Sequence, residues 1–374
     1  MDFDKIDLKW QNMLAGITAQ VPFVQNSPKS IYTNIKESLA LKEAPEKVFL
    51  TGCGDSLYCG MAARFAFQEW SGIQTEAVYA LEFSRYLVKH APKNSLVLAV
   101  SNSGIVSRTM ETLIQGRKYG LITIAATSNL KEGISQEAEF TIDLAYSERR
   151  FAPGTSSYMA SLIVQFCLAI YLAEVNGKFS PMQVEEKLSE ISALSDAMQS
   201  TIDANLPIME SLVKQINLQH KIIFIGAGPN HGTAHFSMAK VIEASLIGAV
   251  GQELEEWAHE QYFITDENTY TFVLAQPGAS VERAREQIMA VKDMGSKCIV
   301  ICDPQDEETA AMADIVAPVH GTFDEMLSPI LYCIPAEIFA FHFAVEHNTV
   351  MLGFNNPKVK EVNFRQIFGS KILR

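Results

Sequence analysis

The sequence has 374 residues, which is longer than one typical domain and suits two domains of ordinary size. Its composition, 48% hydrophobic and 20% charged, is that of a soluble globular protein, and no run of about 18 uncharged apolar residues predicts a membrane span. A net charge of −13 argues against nucleic-acid binding, although loop amides and helix N-termini can still hold an anionic ligand.

The N-terminal segment begins with alternating charges and lacks the pattern of a signal peptide, so we expect a cytoplasmic protein. The cysteines are scattered without the spacing of a metal site, and we expect them to be reduced core thiols and the protein to need no metal. They are Cys53, Cys59, Cys167, Cys298, Cys302 and Cys333.

Residues 1–45 predict a helical lead-in with a polar break between Asn26 and Lys29. Residues 46–177 then predict a first domain, in which apolar β-rich runs alternate with helical segments and a long apolar helix closes the unit. The runs are EKVFLTGCGDS, TEAVYAL, NSLVLAVSNSG, LITIAATSN and EFTIDLA. Strands that alternate with helices favour a parallel sheet.

A helical linker over 178–219 precedes a second domain over 220–347, and a tail follows over 348–374. HKIIFIGAG matches EKVFLTGCG at an offset of 174 residues, TFVLAQPGAS matches LVLAVSNSG at 176, and VKDMGSKCIVICD matches GRKYGLITIAATS at 175. These matches predict an internal duplication. At the offset of 176 residues, Pro277 and Ala279 take the place of hydroxyl-bearing residues of the first copy. We therefore expect only the first half to keep a phosphate-binding loop.

Small polar residues follow two strands of the first domain and suit a phosphate site, because they let the backbone approach the ligand and supply donors beside a helix N-terminus. These residues are Ser56, Ser101, Asn102 and Ser103, and a third loop contains Thr155 and Ser156. An alternative interpretation is that the serines only cap helices. GAGPNHG lacks the third glycine of a dinucleotide fingerprint, and we expect no organic cofactor.

Glu243 lies beside the apolar stripe of a predicted helix, three residues after Lys240. Burial raises the pKa of a carboxylate towards the range that suits proton transfer, whereas a neighbouring lysine keeps it ionised. Glu243 is therefore a candidate base, and a surface ion pair is the plainer alternative. His259 could likewise be an ordinary surface histidine.

The order GCGDS, SNSG and GTSS, followed by a glycine turn and a helix with Lys and Glu, resembles the SIS (sugar isomerase) family. It is similar to the tandem-SIS isomerase module of glucosamine-6-phosphate synthase and to free-standing phosphosugar isomerases, aminosugar-phosphate deaminases and fructosamine-phosphate deglycases. The resemblance covers residues 45–350. It implies two tandem α/β domains, each a parallel five-stranded sheet between layers of helices.

The resemblance also implies roles for the candidate residues. Ser56, Ser101, Asn102 and Ser103 would bind the sugar phosphate, with Thr155 and Ser156 lining the site. Glu243 would move a proton between C1 and C2, with Lys240 beside it. His259, sixteen residues after Glu243, would open the sugar ring, and a homodimer is expected in which this histidine can come from the neighbouring subunit.

Several positions depart from the synthase pattern. Ile105 and Val106 replace an acidic residue and a threonine, so Ser107 or Thr109 would have to supply a missing hydroxyl. His259 is followed by Glu260 and Gln261 instead of Gly and Pro. Val362 falls where the synthase has its Schiff-base lysine, although Lys358 and Lys360 lie nearby, and these could form a lid over an anionic substrate or a solvated strip. We expect no glutaminase domain.

Together these observations predict an enzyme that acts on a 6-phosphorylated sugar or aminosugar by C1/C2 proton transfer, as an isomerase, a deaminase or a deglycase. Two alternatives stay open. One is a non-catalytic sugar-phosphate sensor, and the other is a structural duplication in which Glu243 only forms an ion pair.

Overall fold

A computed structural model describes residues 8–144 and 152–374. The described residues form two compact units, each built around one five-stranded sheet. The first-sheet unit comprises 22–144, 156–193 and 355–374, and the second-sheet unit comprises 8–21, 152–155 and 194–354.

The first sheet has the strand order β2-β1-β3-β4-β5, and every neighbouring pair is parallel. Its strands are β1 (Lys47–Gly52), β2 (Gln74–Tyr79), β3 (Ser95–Val100), β4 (Ile122–Thr127) and β5 (Phe140–Asp143). The helices of this part of the chain are α2 (Pro28–Leu39), α3 (Asp55–Ala66), α4 (Ala80–Glu82), α5 (Ser107–Lys118), α6 (Ile134–Glu137), α7 (Ser156–Val175) and α14 (Pro357–Phe368).

The second sheet has the strand order β10-β9-β8-β6-β7, again with parallel pairs throughout. Its strands are β6 (Lys221–Gly226), β7 (Ala249–Glu253), β8 (Thr269–Ala275), β9 (Lys297–Cys302) and β10 (Ile315–Pro318). The helices here are α9 (Pro229–Ser245), α10 (Val281–Asp293), α11 (Glu307–Met312), α12 (Pro329–Tyr332) and α13 (Ile334–Glu346). The division between the units falls within α1 (Leu8–Asn26) and α8 (Pro181–Val213).

The central strands are buried on both faces, because helices cover each side of a parallel sheet. All residues of β3 and all residues of β8 are buried, which explains why their sequences read as continuous apolar runs. The predicted architecture of two parallel five-stranded sheets flanked by helices is confirmed.

The strand register corrects one offset of the duplication. Lys47 pairs with Ser95 in the first sheet, and Lys221 pairs with Thr269 in the second, so both members of the second pair lie 174 positions after their counterparts. The predicted offset of 176 for this strand was wrong, because it aligned similar residues in the sequence, whereas the correct offset follows from which residues pair between strands. Ser101 and Ser103 therefore correspond to Ala275 and Pro277, and the conclusion that the second copy lacks these hydroxyls is unchanged.

Two apolar segments, Ser156–Val175 and Glu325–Glu346, are long enough to cross a membrane, but 89% and 94% of their most apolar windows are buried inside the protein. They are typical of core helices. Five of the cysteines are buried as expected, whereas Cys53 is exposed and the prediction of a core thiol was wrong for it. Within 8–144 and 152–374, no cluster of three His, Cys, Asp or Glu side chains could hold a metal ion.

Candidate functional site

Two loops of the first-sheet unit begin at the carboxyl ends of adjacent parallel strands. β1 ends at Gly52 and β3 at Val100, and the two strands are hydrogen-bonded neighbours. Both loops consequently open at the same edge of the sheet, which is the edge where open α/β sheets bind ligands.

The loop between β1 and α3 depends on glycine at two positions. A Cβ atom on Gly52 would lie 2.5 Å from Ser56 Cβ, and Gly54 has φ +56°, a conformation that side chains disfavour. Ser56 stands in the first turn of α3 and is half-buried. These glycines allow the start of α3 to approach the sheet edge closely.

The loop between β3 and α5 carries a buried hydroxyl with no partner. Ser101 is 3% exposed, and its Oγ atom makes no hydrogen bond with any of the residues that the structure describes. The loop is held in place around it, because Ser128 Oγ donates to Asn102 Oδ1 at 2.6 Å and Asn129 Nδ2 donates to the Ser103 carbonyl at 3.3 Å. A buried hydroxyl without a partner is destabilising, and a bound ligand atom would remove that penalty.

Neither α3 nor α5 has a side-chain cap. Their N-cap residues are Gly54 and Val106, which carry no side-chain acceptor. The alternative interpretation of the serines as N-caps is therefore wrong for these two helices. The amides of their first turns, together with the positive end of each helix dipole, suit an anion.

The other predicted phosphate residues lie close to helix starts. Thr155 is buried and directly precedes α7, whose first residue is the half-buried Ser156. Of the two substitutes for the missing hydroxyl, Ser107 is the first residue of α5, and Thr109 points its Oγ1 towards Cys53 Sγ at 3.9 Å. Both are buried.

In the second-sheet unit, Lys240 and Glu243 form an ion pair on α9. Lys240 Nζ lies 2.5 Å from Glu243 Oε2, and Lys240 is fully buried whereas the Glu243 side chain is 33% exposed. The Lys240 ammonium also lies 5.0 Å from the centre of the Phe236 ring. A buried ammonium needs a counter-charge, and one carboxylate oxygen of Glu243 provides it. Because the Glu243 side chain is partly exposed, its other oxygen can contact a ligand.

His259 has an exposed side chain, with 65% of it accessible. Its Nε2 lies 3.5 Å from Glu255 Oε1, and Glu255 also accepts hydrogen bonds from Arg283 at 2.5 and 3.0 Å. The ring is therefore loosely held, at the end of a short 3₁₀ turn, Glu256–Ala258.

The C-terminal tail forms α14, and both candidate lid residues, Lys358 and Lys360, are exposed on it. The segment after α14 is attached to α5. Leu373 N donates to Glu111 Oε2 at 2.7 Å, and Gln115 Nε2 donates to the Leu373 carbonyl at 2.9 Å. Arg108 donates to the Lys371 carbonyl.

Glu111 is a fully buried carboxylate that sequence reasoning did not identify. Burial alone would raise the pKa of its carboxyl group, but hydrogen bonds from Arg85 and from the Leu373 amide lower the pKa to about 2. Arg108, three residues before Glu111, is a second cationic partner at 2.5 Å. The i,i+3 pair was visible in the sequence, whereas the contact with the chain end was not.

Comparison with known proteins relates both halves of the chain to one family. The SIS domain family model matches residues 40–171 and 215–347. Glutamine–fructose-6-phosphate aminotransferase from Gloeobacter violaceus is 27% identical over 300 residues, which cover 80% of this chain and 49% of that protein. The same enzyme from Caldanaerobacter subterraneus is 25% identical over 321 residues, or 86% of this chain and 52% of that protein. The chain thus spans about half the length of these curated relatives.

Solved structures share the fold at low sequence identity. The C-terminal domain of glucosamine-fructose-6-phosphate aminotransferase from Francisella tularensis superposes with a TM-score of 0.81 at 18% identity, covering 94% of this chain and 99% of that chain. Glucosamine-6-phosphate deaminase from Thermotoga maritima gives 0.68 at 20% identity, with 90% and 95% covered. Since the family model matches one long segment in each half, which together make up most of the sequence, the chain belongs to the SIS domain family and contains two SIS domains in tandem.

Proposed function

We propose that this protein is an enzyme that acts on a 6-phosphorylated sugar or aminosugar in its open-chain form. Ser56, Ser101, Asn102 and Ser103 bind the phosphate, with Thr155 and Ser156 as further phosphate-side residues. The observation that carries the proposal is the buried Ser101 hydroxyl, which lacks a partner beside two helix starts without side-chain caps. The proteins named above, a glutamine–fructose-6-phosphate aminotransferase and a glucosamine-6-phosphate deaminase, support this substrate class.

In the proposed reaction, Glu243 moves a proton between C1 and C2 of the open-chain sugar through an enediol or an enamine, from C2 to C1 in an aldose and from C1 to C2 in a ketose. The Lys240 ammonium orients the carboxylate through one of its oxygens. His259 assists ring opening. If nitrogen is bound at C1 or C2, the same transfer yields an imine that water hydrolyses, so the protein is a deaminase or a deglycase. Without nitrogen, the product is the isomeric ketose or aldose.

The substrate class is tested by a panel of hexose 6-phosphates, aminosugar 6-phosphates and fructosamine 6-phosphates. Thermal stability is measured with each compound, because a ligand of the native state raises the apparent stability. Exchange with solvent of the proton at C2 of each aldose, or at C1 of each ketose and fructosamine, is followed by NMR in the same samples. Stabilisation with exchange supports the enzyme, whereas stabilisation without exchange or turnover supports a sensor.

The role of Glu243 is tested by Glu243→Gln, which keeps the shape of the side chain but removes its basicity. We expect turnover to fall by about 10²–10⁴-fold, with a small change in KM. Glu190→Gln is a matched control, because Glu190 forms the same i,i+3 pair with Lys187 at 2.7 Å and its side chain is also 33% exposed. Full turnover by a folded Glu243→Gln protein would refute the proposed base.

A further inference from the structure

The loop between β3 and α5, here called the Ser101 loop, corresponds to the loop between β8 and α10 in the second-sheet unit. The β8–α10 loop binds a carboxylate of the protein itself. The Glu325 side chain accepts a hydrogen bond from the Ala279 amide at 3.2 Å through Oε2, and one from Gln276 Nε2 at 3.4 Å through Oε1. These donors lie between the end of β8 and the start of α10. The carboxylate therefore lies in the loop that leads into α10, at the residue before its N-cap Ser280.

The loops that follow the first strand of each sheet, between β1 and α3 and between β6 and α9, share one backbone conformation. Gly54 and Gly228 lie 174 residues apart, both are N-cap residues, and their φ and ψ angles agree closely, at 56° and −129° against 55° and −129°. At the same offset Gly278 corresponds to Gly104, and both have positive φ, at +144° and +76°. Duplication has therefore preserved the glycine turn before α3 and α9, whereas the β8–α10 loop shares with the β3–α5 loop a glycine at positive φ.

Glu325 fills the second loop closely. A Cβ atom added to Gly278 would lie 2.2 Å from Glu325 Oε2 and 2.7 Å from Oε1, so only glycine leaves space for the carboxylate. In the first-sheet unit the amide that corresponds to Ala279 N is that of Ile105, whose contact is the Ser103 hydroxyl at 3.5 Å. In the second-sheet unit this amide thus donates to a carboxylate of the protein, whereas in the first-sheet unit the corresponding amide makes a long hydrogen bond to a serine hydroxyl.

The position of Glu325 is fixed by its backbone. Ser328 donates to the Glu325 carbonyl through its amide at 3.0 Å and through its hydroxyl at 2.6 Å. Asn230 on α9 in turn donates to Ser328 Oγ at 2.9 Å. The Gln276 side chain, 1% exposed, contacts the carboxylate through Nε2, and its Oε1 atom has no hydrogen-bond partner within residues 8–144 and 152–374, so the loop retains an unused acceptor that a protonated phosphate oxygen would satisfy.

We propose that the second-sheet unit contains a second anion site that Glu325 closes, and that removal of this carboxylate opens the site to inorganic phosphate or a phosphate monoester. Glu325 is then an internal substitute for the phosphate group, which keeps the second copy of the domain from binding a sugar phosphate. The inference goes beyond the proposed function, because it concerns the other unit and does not require the Ser101 loop to bind phosphate.

The test uses the full chain in a Ser101→Ala/Ser103→Ala background, which removes the proposed phosphate hydroxyls of the first-sheet unit. Glu325→Ala is added to this background, and thermal unfolding is titrated with inorganic phosphate against sodium chloride of equal ionic strength. We expect phosphate to raise the Tm of the Glu325→Ala protein by several degrees, in proportion to the logarithm of its concentration, and to leave the background protein unchanged. Isothermal titration should show an additional bound phosphate for each chain.

Two further variants separate filling of the site from loss of charge. Glu325→Gln retains the volume of the side chain, so we expect no phosphate response. Glu282→Ala removes a carboxylate from the first turn of the same helix, where it is 80% exposed and paired with Arg285, and we expect no response there either. An equal response in either variant would overturn the proposal, because it would reflect general charge reduction.

A folded Glu325→Ala protein that does not respond to phosphate would also overturn the proposal. If that variant does not fold, Glu325→Ser replaces it, since the short polar side chain also removes the carboxylate from the Ala279 amide, and the same criterion applies. A phosphate response of the Ser101→Ala/Ser103→Ala background would instead contradict the proposed phosphate role of the first-sheet loop. The two failures are therefore distinguishable.

Discussion

At the scale of single residues, Ser101 offers a direct test of phosphate binding. Its hydroxyl is buried and has no partner, so Ser101→Ala should not reduce the stability of the free protein. A hydrogen bond to a charged ligand contributes roughly 1.5–3 kcal/mol, and the substitution should raise KM by about 10- to 100-fold. Steady-state kinetics with the substrate identified in the panel measures this change.

Ser95 provides the control, because its hydroxyl is also buried and without a partner but lies at the opposite end of the same strand. Ser95→Ala should leave KM unchanged. A similar KM for Ser101→Ala and the wild-type protein would contradict the proposed phosphate contact.

The sequence allowed prediction of residues whose role follows from local spacing. Ser101 directly follows an apolar strand, and the i,i+3 spacing of Lys240 and Glu243 anticipated their ion pair. Contacts between distant positions were not predictable. Glu325 reaches an amide 46 residues away, and Glu111 bonds to the amide of Leu373, 262 residues away. No local pattern contains that information.

At the scale of elements, the strongly apolar strands and long helices were predictable, whereas two short strands of the second sheet were not identified individually. β7 reads AVGQE, and its glycine is required because a Cβ on Gly251 would lie 2.7 Å from the Ala234 carbonyl oxygen on α9. β10 is an edge strand of four residues that ends in a proline. Close packing in β7 and the edge position of β10 each weaken the alternation of apolar and polar residues by which a strand is identified in a sequence.

The segment that follows α14 is an element whose stability contribution can be measured. Truncation after Gly369 removes the Leu373 amide from Glu111 and the Lys371 carbonyl from Arg108. We expect a loss of about 1–3 kcal/mol in the free energy of unfolding, measured by urea denaturation. In a Glu111→Gln background the same truncation should cost less, because the two changes remove a shared interaction.

Glu361 serves as the control for this cycle. It lies on α14 in an ion pair with Arg365 at 3.8 Å, and its side chain is 74% exposed. Glu361→Gln should change stability by less than about 0.5 kcal/mol and should add to the truncation without coupling. Full additivity between truncation and Glu111→Gln would mean that the tail segment is not held through Glu111.

At the scale of the whole molecule, the two sheets share one topology but have diverged in chemistry. The first-sheet unit keeps the hydroxyls of Ser101 and Ser103 and helix starts without side-chain caps. The second-sheet unit keeps a glycine at positive φ in the corresponding loop, has lost those hydroxyls and fills the loop with Glu325. Duplication therefore preserved the sheet topology, and a few side chains distinguish one copy from the other.

The stability of the protein at acidic pH is a property of the whole molecule, and we expect one buried histidine to contribute strongly to its pH dependence. His342 on α13 is fully buried, and neither ring nitrogen has a hydrogen-bond partner. Burial lowers the pKa of His342 to about 4, and Lys214, the residue that follows α8, lowers it further, although Glu210 on α8 acts in the opposite direction. The unfolded chain therefore binds a proton at this residue between about pH 6.5 and pH 4, whereas the folded protein does not.

Because the unfolded state binds more protons over that interval, the free energy of unfolding should fall as the pH is lowered from about 6.5 to about 4, by about 3 kcal/mol from this residue. His342→Phe keeps an aromatic ring of similar size and should remove this decrease, whereas His90→Phe, at an exposed position, should leave it unchanged. Urea denaturation at pH 7, 5.5 and 4 measures the effect. An equal decrease in the wild-type and His342→Phe proteins would show that other groups govern acid stability, since the buried imidazole is the only group that the substitution removes.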